Sequence, residues 1–489
     1  MDLHGGGGRR IKLSSTGGCE EDRLSSLPDD LLRRILRGLP STADAAQTSL
    51  LSRRWVRLWV GIPEIWFPGP AIPGRVHAAL AAYAAHDGAP IHGIHVTTLT
   101  APAESTAAWL RLAAPRLSGE LSVVDNAPLD DDAAETLGVI ELPCFENATK
   151  IELRLGCPGI ALPDSGVFAK LETLFLEYVR FHGPCELGEA VSSARCPSLR
   201  RLTVRSSQGV SSLAISSQSL VKVSLGCLKG LQQLMAVAPM VEHFHLSPWY
   251  RKAKLSTVNI SAPRLEKLTW AGRFEPSFLQ RAHLQELCTA FKVYGRDRSL
   301  NPHYLSLFRH FEAISLQLLL VYPANSVNSY EYLMDDITFL PDVKNLVLSF
   351  CSRAHAFGAS AFHLLRLCAG IRGLKLKFLR YKSEFQEPPE CPSGCTCDQQ
   401  NGWKSEGIFL NRLGEAEIHG IKGVEHEVVF LEQLFRWATA LEKMTITFDP
   451  LVAVSDNLCE EIASFSRPET CVEVYLYRNG RKVLFAPVI

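Results

Sequence analysis

Cys391, Cys395 and Cys397 are the tightest group of chemistry-bearing side chains in this 489-residue chain, because thiolates so close in sequence can share a tetrahedral metal ion. The spacing counts against that use. No Cys-x-x-Cys pair is present and no fourth ligand adjoins the three, so His419 or His426 would have to complete a set. The thiols are therefore expected to be buried or loop groups, with no metal and no cofactor. His92 with His95 and His243 with His245 are isolated pairs; on a strand the second pair would share a face, because side chains alternate. Too few carboxylates lie near them for a catalytic triad, and they are read as structural histidines. The Gly-x-Ser-x-Gly elbow, the Gly-x-x-x-x-Gly-Lys phosphate loop and the His-Glu-x-x-His helix are all absent from the sequence, and Gly5 to Gly8 precede no strand–helix unit. No catalytic residue is expected, and the chain is read as no enzyme.

With no chemistry of its own in view, the chain has surfaces to offer, and composition narrows whose. Lys plus Arg and Asp plus Glu both number 51, which gives no electrostatic reason to bind nucleic acid or anionic lipid. The richest apolar stretch, Ala313 to Tyr322, is interrupted by Ser315 and Gln317 and is far shorter than the roughly 20 residues that span a bilayer. Residues 1–16 carry no apolar run that could form a signal-peptide core. The 14 cysteines are dispersed with no small-domain framework, which suits reduced thiols in the cytoplasm or nucleus. The 46% of hydrophobic residues supply enough core for at least two folding units.

The elements that position a surface begin at Leu27. The run to Leu39 sets Leu27, Leu31, Leu32, Ile35, Leu36 and Leu39 on one arc and Asp29, Asp30, Arg33, Arg34 and Arg37 on the other, an amphipathic helix. Pro28 starts it, and Gly38 with Pro40 ends it. A second helix is expected from Ser41, whose hydroxyl can cap it. A third, Ser52 to Trp59, carries Trp55, Leu58 and Trp59 as an i, i+3, i+4 stripe. Three short helices have little interior, so some apolar surface is left over for a partner or for the chain's own downstream body. Periodicity alone leaves both open.

The residues Leu24 to Trp59 closely resemble the F-box of plant F-box proteins, in the Leu-Pro-Asp-Asp-Leu-Leu opening, the Leu39-Pro40-Ser41-Thr42 link, the Thr48 to Ser52 centre and the Arg54-Trp55 to Leu58-Trp59 close. Gln47 departs from the pattern, where relatives commonly carry a basic residue. The resemblance implies docking on a Skp-family adaptor and, through it, on a cullin scaffold. Carried over by position, Leu27 and Pro28 are the exposed wedge, and Leu31, Leu32, Ile35, Leu36, Leu51, Trp55 and Trp59 support or extend the adaptor-binding face. The arginine-rich rim of the third helix could complement an acidic adaptor, although a charge run on a short helix is more often a solvated face.

Downstream, an apolar-x-x-apolar-x-apolar pattern recurs at Leu171, Leu199, Leu220, Val241, Leu265, Phe311, Val343, Ile371 and Leu441, with weaker copies at Leu284 and Leu413. Most intervals run from about 19 to 32 residues, the leucine-rich-repeat period. Pro197, Pro239, Pro263 and Pro341 each stand two residues ahead of a copy, where proline ends the preceding element and favours extended chain. Leu228 to Val237, Phe362 to Cys368 and Val428 to Trp437 read as connecting helices, and Val76 to Ala85 as a helix after a Pro/Gly-rich linker. Near the end, Cys395, Cys397, Trp403, Leu410, Glu417, Ile418, Gly420, Gly423 and Glu425 resemble the FBD region that follows the repeats in many plant F-box proteins.

The fold expected is α/β: a three-helix F-box, then a leucine-rich-repeat solenoid with a strand plus a helix per repeat, capped by the FBD region. The divisions are 1–20 tail without structure, 21–67 F-box, 68–90 linker and helix, 91–390 repeats and 391–489 FBD region. The function expected is substrate recognition for a Skp–cullin–F-box ubiquitin ligase, with the repeats holding an unidentified target protein. The alternative is a repeat scaffold never assembled into a ligase.

Overall fold

The computed structural model describes residues 26–86, 90–126, 138–183, 185–247, 255–271, 283–298, 301, 305, 308, 312–380, 391, 395–397 and 402–485. The expected tail, 1–20, and Phe311, the first residue of one repeat copy, lie outside them, while the rest of that copy forms the strand Glu312–Val321. Helix α1, Asp29–Arg37, follows extended backbone at Pro28, with Asp29 and Asp30 at its positive end and Arg34 and Arg37 in its last turn, as the helix dipole favours. Helix α2, Thr42–Gln47, is capped as expected: the Ser41 hydroxyl accepts the Asp44 N–H at 3.2 Å. A 3-10 turn, Thr48–Leu50, leads into α3, Arg53–Trp59. Arg54 is not part of a solvated rim. Its guanidinium reaches back 27 residues to donate to the Leu27 carbonyl at 2.6 Å and pairs with Asp29, locking α3 to the start of α1.

This module sits on the first strand of the body. The next helix, α4, Pro73–Ala85, brings the Tyr83 hydroxyl within 3.0 Å of the Trp59 carbonyl and 2.9 Å of that of Ile62, while the Thr42 hydroxyl accepts the Trp66 N–H at 2.7 Å. Seventeen of the described strands, from Glu64–Phe67 to Arg481–Leu484, form one sheet, parallel throughout except for the closing antiparallel pair. The register explains the repeat. Ile151, Leu174, Leu202, Val223, Phe244 and Leu268 stand side by side in successive strands, all buried, and two residues on Leu153, Leu176, Val204, Leu225, Leu246 and Trp270 form a second buried row. Between them runs an outward row, Glu152, Phe175, Thr203, Ser224, His245 and Thr269. Period-two side chains in a parallel ladder thus give one sealed face and one presented face. The strands of the FBD-like region, Glu415–Ile421, Lys443–Phe448 and Cys471–Arg478, continue the same ladder.

Behind the sheet the connections change along the chain. Helices Ala103–Ala113, Gly358–Leu367 and Glu425–Trp437 back its two ends, the last two as expected from their apolar spacing. The helix expected over Leu228 to Val237 is instead a strand, Gln233–Val237, the middle one of a small parallel sheet with Ser212–Ser216 and Thr257–Ser261. Its burial alternates, Leu234 and Ala236 in, Met235 and Val237 out, because repeats of about 21–24 residues leave too little chain to wind a helix on the way back. No described helix is long and apolar enough to cross a membrane.

One close approach fixes a glycine. Pairing between Ile91–Thr98 and Leu117–Asp125 shifts register after Ile91, and a Cβ on Gly119 would lie 2.0 Å from the His92 carbonyl oxygen. Backbone cannot yield as a side chain can, so Gly119→Ala is expected to lower stability by about 1–3 kcal/mol, read as a fall in Tm by calorimetry.

Candidate functional site

Among the candidate docking residues the structure makes a clean division. Leu31 and Ile35, one turn apart on α1, are each 47% exposed, and Leu50 and Leu51, at the turn into α3, are 90% and 66% exposed. Pro28 is exposed beside them in sequence and Leu27 is half-buried. Leu32, Leu36, Trp55 and Trp59 are sealed, which corrects their assignment to the adaptor-binding face: they are the core that holds the exposed leucines in place. Trp59 even has its indole N–H satisfied, donating to the Ser49 hydroxyl at 2.8 Å. Leu50 is the docking candidate that sequence reasoning missed. Its signal was the Leu-Leu pair directly before a cap residue, where a tight turn leaves neither side chain a helix face to pack on.

The second presented surface is the outward face of the sheet, and charge is distributed over it in pairs across and along the strands. Lys150 lies 3.2 Å from Glu120 and 3.5 Å from Glu152, Arg154 stacks 4.8 Å over the Phe175 ring, Lys267 meets Glu286 at 2.8 Å and Lys443 meets Glu473 at 3.0 Å. Lys375 pairs with Glu417, which also accepts from His419. These pairs are largely solvated and contribute little stability. They matter as a pattern of alternating sign that a partner would have to match. His245 lies in the middle of this face, with Nε2 3.2 Å from the Ser247 hydroxyl. Burial and then the Arg205 charge hold it below the usual 6.5. Protonation is therefore harder in the folded chain than in the unfolded one, so the contribution of His245 is complete above that value and is lost as pH falls below it. Between about pH 7 and 5, Tm is expected to fall less steeply in His245→Gln than in the unaltered chain. His92, by contrast, is bonded to Ser118 at 2.9 Å, and the His95 ring packs tilted by 59° against Trp66, their centroids 5.2 Å apart.

The three clustered cysteines do come together, with a partner that their local sequence does not show. His355 Nδ1 lies 3.3 Å from Cys391 Sγ and 3.4 Å from Cys395 Sγ, and Cys391 and Cys397 sulfurs are 3.5 Å apart. His419 is on the sheet face with Glu417, and His426 packs its ring against Phe357, so neither belongs to this set. Of the thiols, Cys395 is the readiest to ionise: burial, which alone would raise it, is outweighed by the backbone N–H groups of Val327 and Cys397. None of the described cysteines is in a disulfide. Beside the cluster opens a cavity of about 330 Å³ lined by Arg353, His355, Arg380, Cys391, Lys422 and Asp449, among others, with Arg380 Nε donating to the buried Asp449 carboxylate at 2.7 Å.

A three-helix module with exposed leucines, joined to a parallel-strand repeat sheet, is the arrangement expected of an F-box followed by leucine-rich repeats. The F-box domain family matches residues 24–63, and the leucine-rich repeats of the FBD-associated F-box protein At5g56370 match residues 106–295. An F-box/FBD/LRR-repeat protein of Arabidopsis thaliana, At4g03220, is 26% identical over 457 residues, covering 87% of this chain and 89% of the relative. Two others from the same plant, At5g56420 and At2g04230, are 32% and 27% identical over 219 and 231 residues, stretches that span 49% of each relative. Over most of its length, then, the chain is similar to F-box/FBD/LRR-repeat proteins.

Proposed function

We propose that this chain is the non-catalytic substrate receptor of a Skp–cullin–F-box ubiquitin ligase. An F-box in general binds a Skp-family adaptor, and the observation that carries the reading here is the set of four exposed aliphatics, Leu31, Ile35, Leu50 and Leu51, on a module whose Leu32, Leu36, Trp55, Leu58 and Trp59 are packed inside. Apolar surface left in water on so small a unit calls for a covering partner. The outward face of the repeats then holds a target protein, and catalysis is the proximity of that target's lysines to a conjugating enzyme carried by the cullin scaffold. Such a receptor works in the cytoplasm or nucleus, where its thiols stay reduced.

The test is capture of the full chain from plant cells with proteasomal turnover blocked, followed by mass spectrometry. The expected result is adaptor and cullin together with ubiquitinated targets, and, for a Leu50→Asp/Leu51→Asp variant, the same targets without adaptor, cullin or ubiquitin. Capture of targets with no adaptor or cullin from the unaltered chain would instead identify a free-standing scaffold.

A further inference from the structure

His355, Cys391, Cys395 and Cys397 offer four ligand atoms that all lie within 4.8 Å of one another. We infer that they form a structural zinc site, four-coordinate and closed, that staples the segment carrying the cysteines to the back of the repeat sheet. The three shortest separations approach those of a metal tetrahedron: bonds of about 2.3 Å to sulfur and 2.0–2.1 Å to nitrogen separate neighbouring donors by roughly 3.5–3.8 Å, against 3.3, 3.4 and 3.5 Å here. Three sulfurs and one imidazole are the donor set that structural zinc takes, and no position is left open for a substrate.

The surroundings are built to aim these groups. Arg353 and Ala354, directly before His355, have φ of 49° and 67°, a left-handed pair that costs energy in non-glycine residues and turns the histidine inward. The ring of Tyr322 stacks on His355 at 6.0 Å and 16°, fixing its plane. The Ala356 N–H donates to Cys397 Sγ at 3.4 Å, the contact by which backbone supports a metal-bound thiolate. Between the cysteines, Thr396 donates both its N–H and its hydroxyl to Asn328 Oδ1 at 3.0 Å, and farther on the Trp403 ring fills the space where a Cβ on Gly358 would stand, 2.3 Å away. The cysteines are thus held against two elements distant in sequence, the turn at Ser326–Ser329 and the start of helix Gly358–Leu367, and the ion is the remaining tie. Cys391 and His355 also line the wall of the 330 Å³ cavity, so the ion would keep that wall in shape. This assignment does not depend on the ligase reading.

The experiment is metal analysis of the untagged full chain, expressed with zinc and purified without chelator. About one zinc per chain is expected, falling below about one-tenth in Cys395→Ser and in His355→Ala, and unchanged in Cys471→Ser, an exposed cysteine outside the cluster. Because a ligand variant can lose metal by losing its fold, the unaltered chain is also stripped and titrated with cobalt(II). The expected spectrum shows tetrahedral bands with thiolate-to-cobalt charge transfer, saturating at about one equivalent and abolished by added zinc. Zinc far below one per chain with no thiolate–cobalt band overturns the assignment. So does an intact mass lighter by the two hydrogens of a disulfide in freshly purified chain, and so does full zinc content in a folded variant lacking all three cysteines.

Discussion

Leu50→Asp combined with Leu51→Asp is expected to weaken binding of a Skp-family adaptor by at least about 100-fold, since covering a leucine contributes about 1.5–3 kcal/mol and two are lost together. Both side chains stand in water in the free chain, at 90% and 66% exposure, so stability is expected to stay within about 0.5 kcal/mol of the unaltered protein. Titration calorimetry measures the first quantity and differential scanning calorimetry the second. Retained affinity would mean that the adaptor meets another face of the module. A shifted Tm with lost affinity would mean that these leucines hold the fold after all.

Trp59→Ala is expected to abolish the same binding by the opposite route. Trp59 is buried between the helices, packs edge-on against Tyr83 at 5.5 Å and is bonded to Ser49. Emptying that volume costs about 3–5 kcal/mol, comparable with all the stability so small a module can hold. Repeat sheets share their stability mostly with neighbours, so the loss is expected to stay local. Hydrogen exchange should show protection lost across α1 to α3 and kept in the strands from Lys150 onward. Protection kept in the helices would show that the body of the chain, through Tyr83 and Trp66, carries the module's stability.

How far the sequence reached follows from what periodicity encodes. Pro28, Ser41 and the Trp55–Leu58–Trp59 stripe set the helices, because caps and i, i+3, i+4 spacing act within one turn. The apolar arc of α1 was visible too, but it is wide enough to span two environments, and only packing against α3 seals Leu32 and Leu36 while leaving Leu31 and Ile35 in water. The strand rows were legible for the same local reason: one alternation, repeated, stacks into one register. Leu228 to Val237 was misread because a short apolar stretch fits either period, and the available chain length decides. The partner of the three cysteines could not be read at all, since His355 lies 36 residues before Cys391 and only the sheet brings them together. Spacing rules group side chains that share a turn, and this cluster spans two repeats.

The central claim is that a foreign subunit covers the exposed leucines of the helical module. Calorimetric titration of the purified full chain with a purified Skp-family adaptor, at several temperatures, measures that directly. One adaptor bound per chain is the expected result, with a markedly negative heat-capacity change and little dependence on salt, as burial of apolar surface requires. No binding at any temperature, or binding that disappears with salt and shows no heat-capacity change, would contradict it.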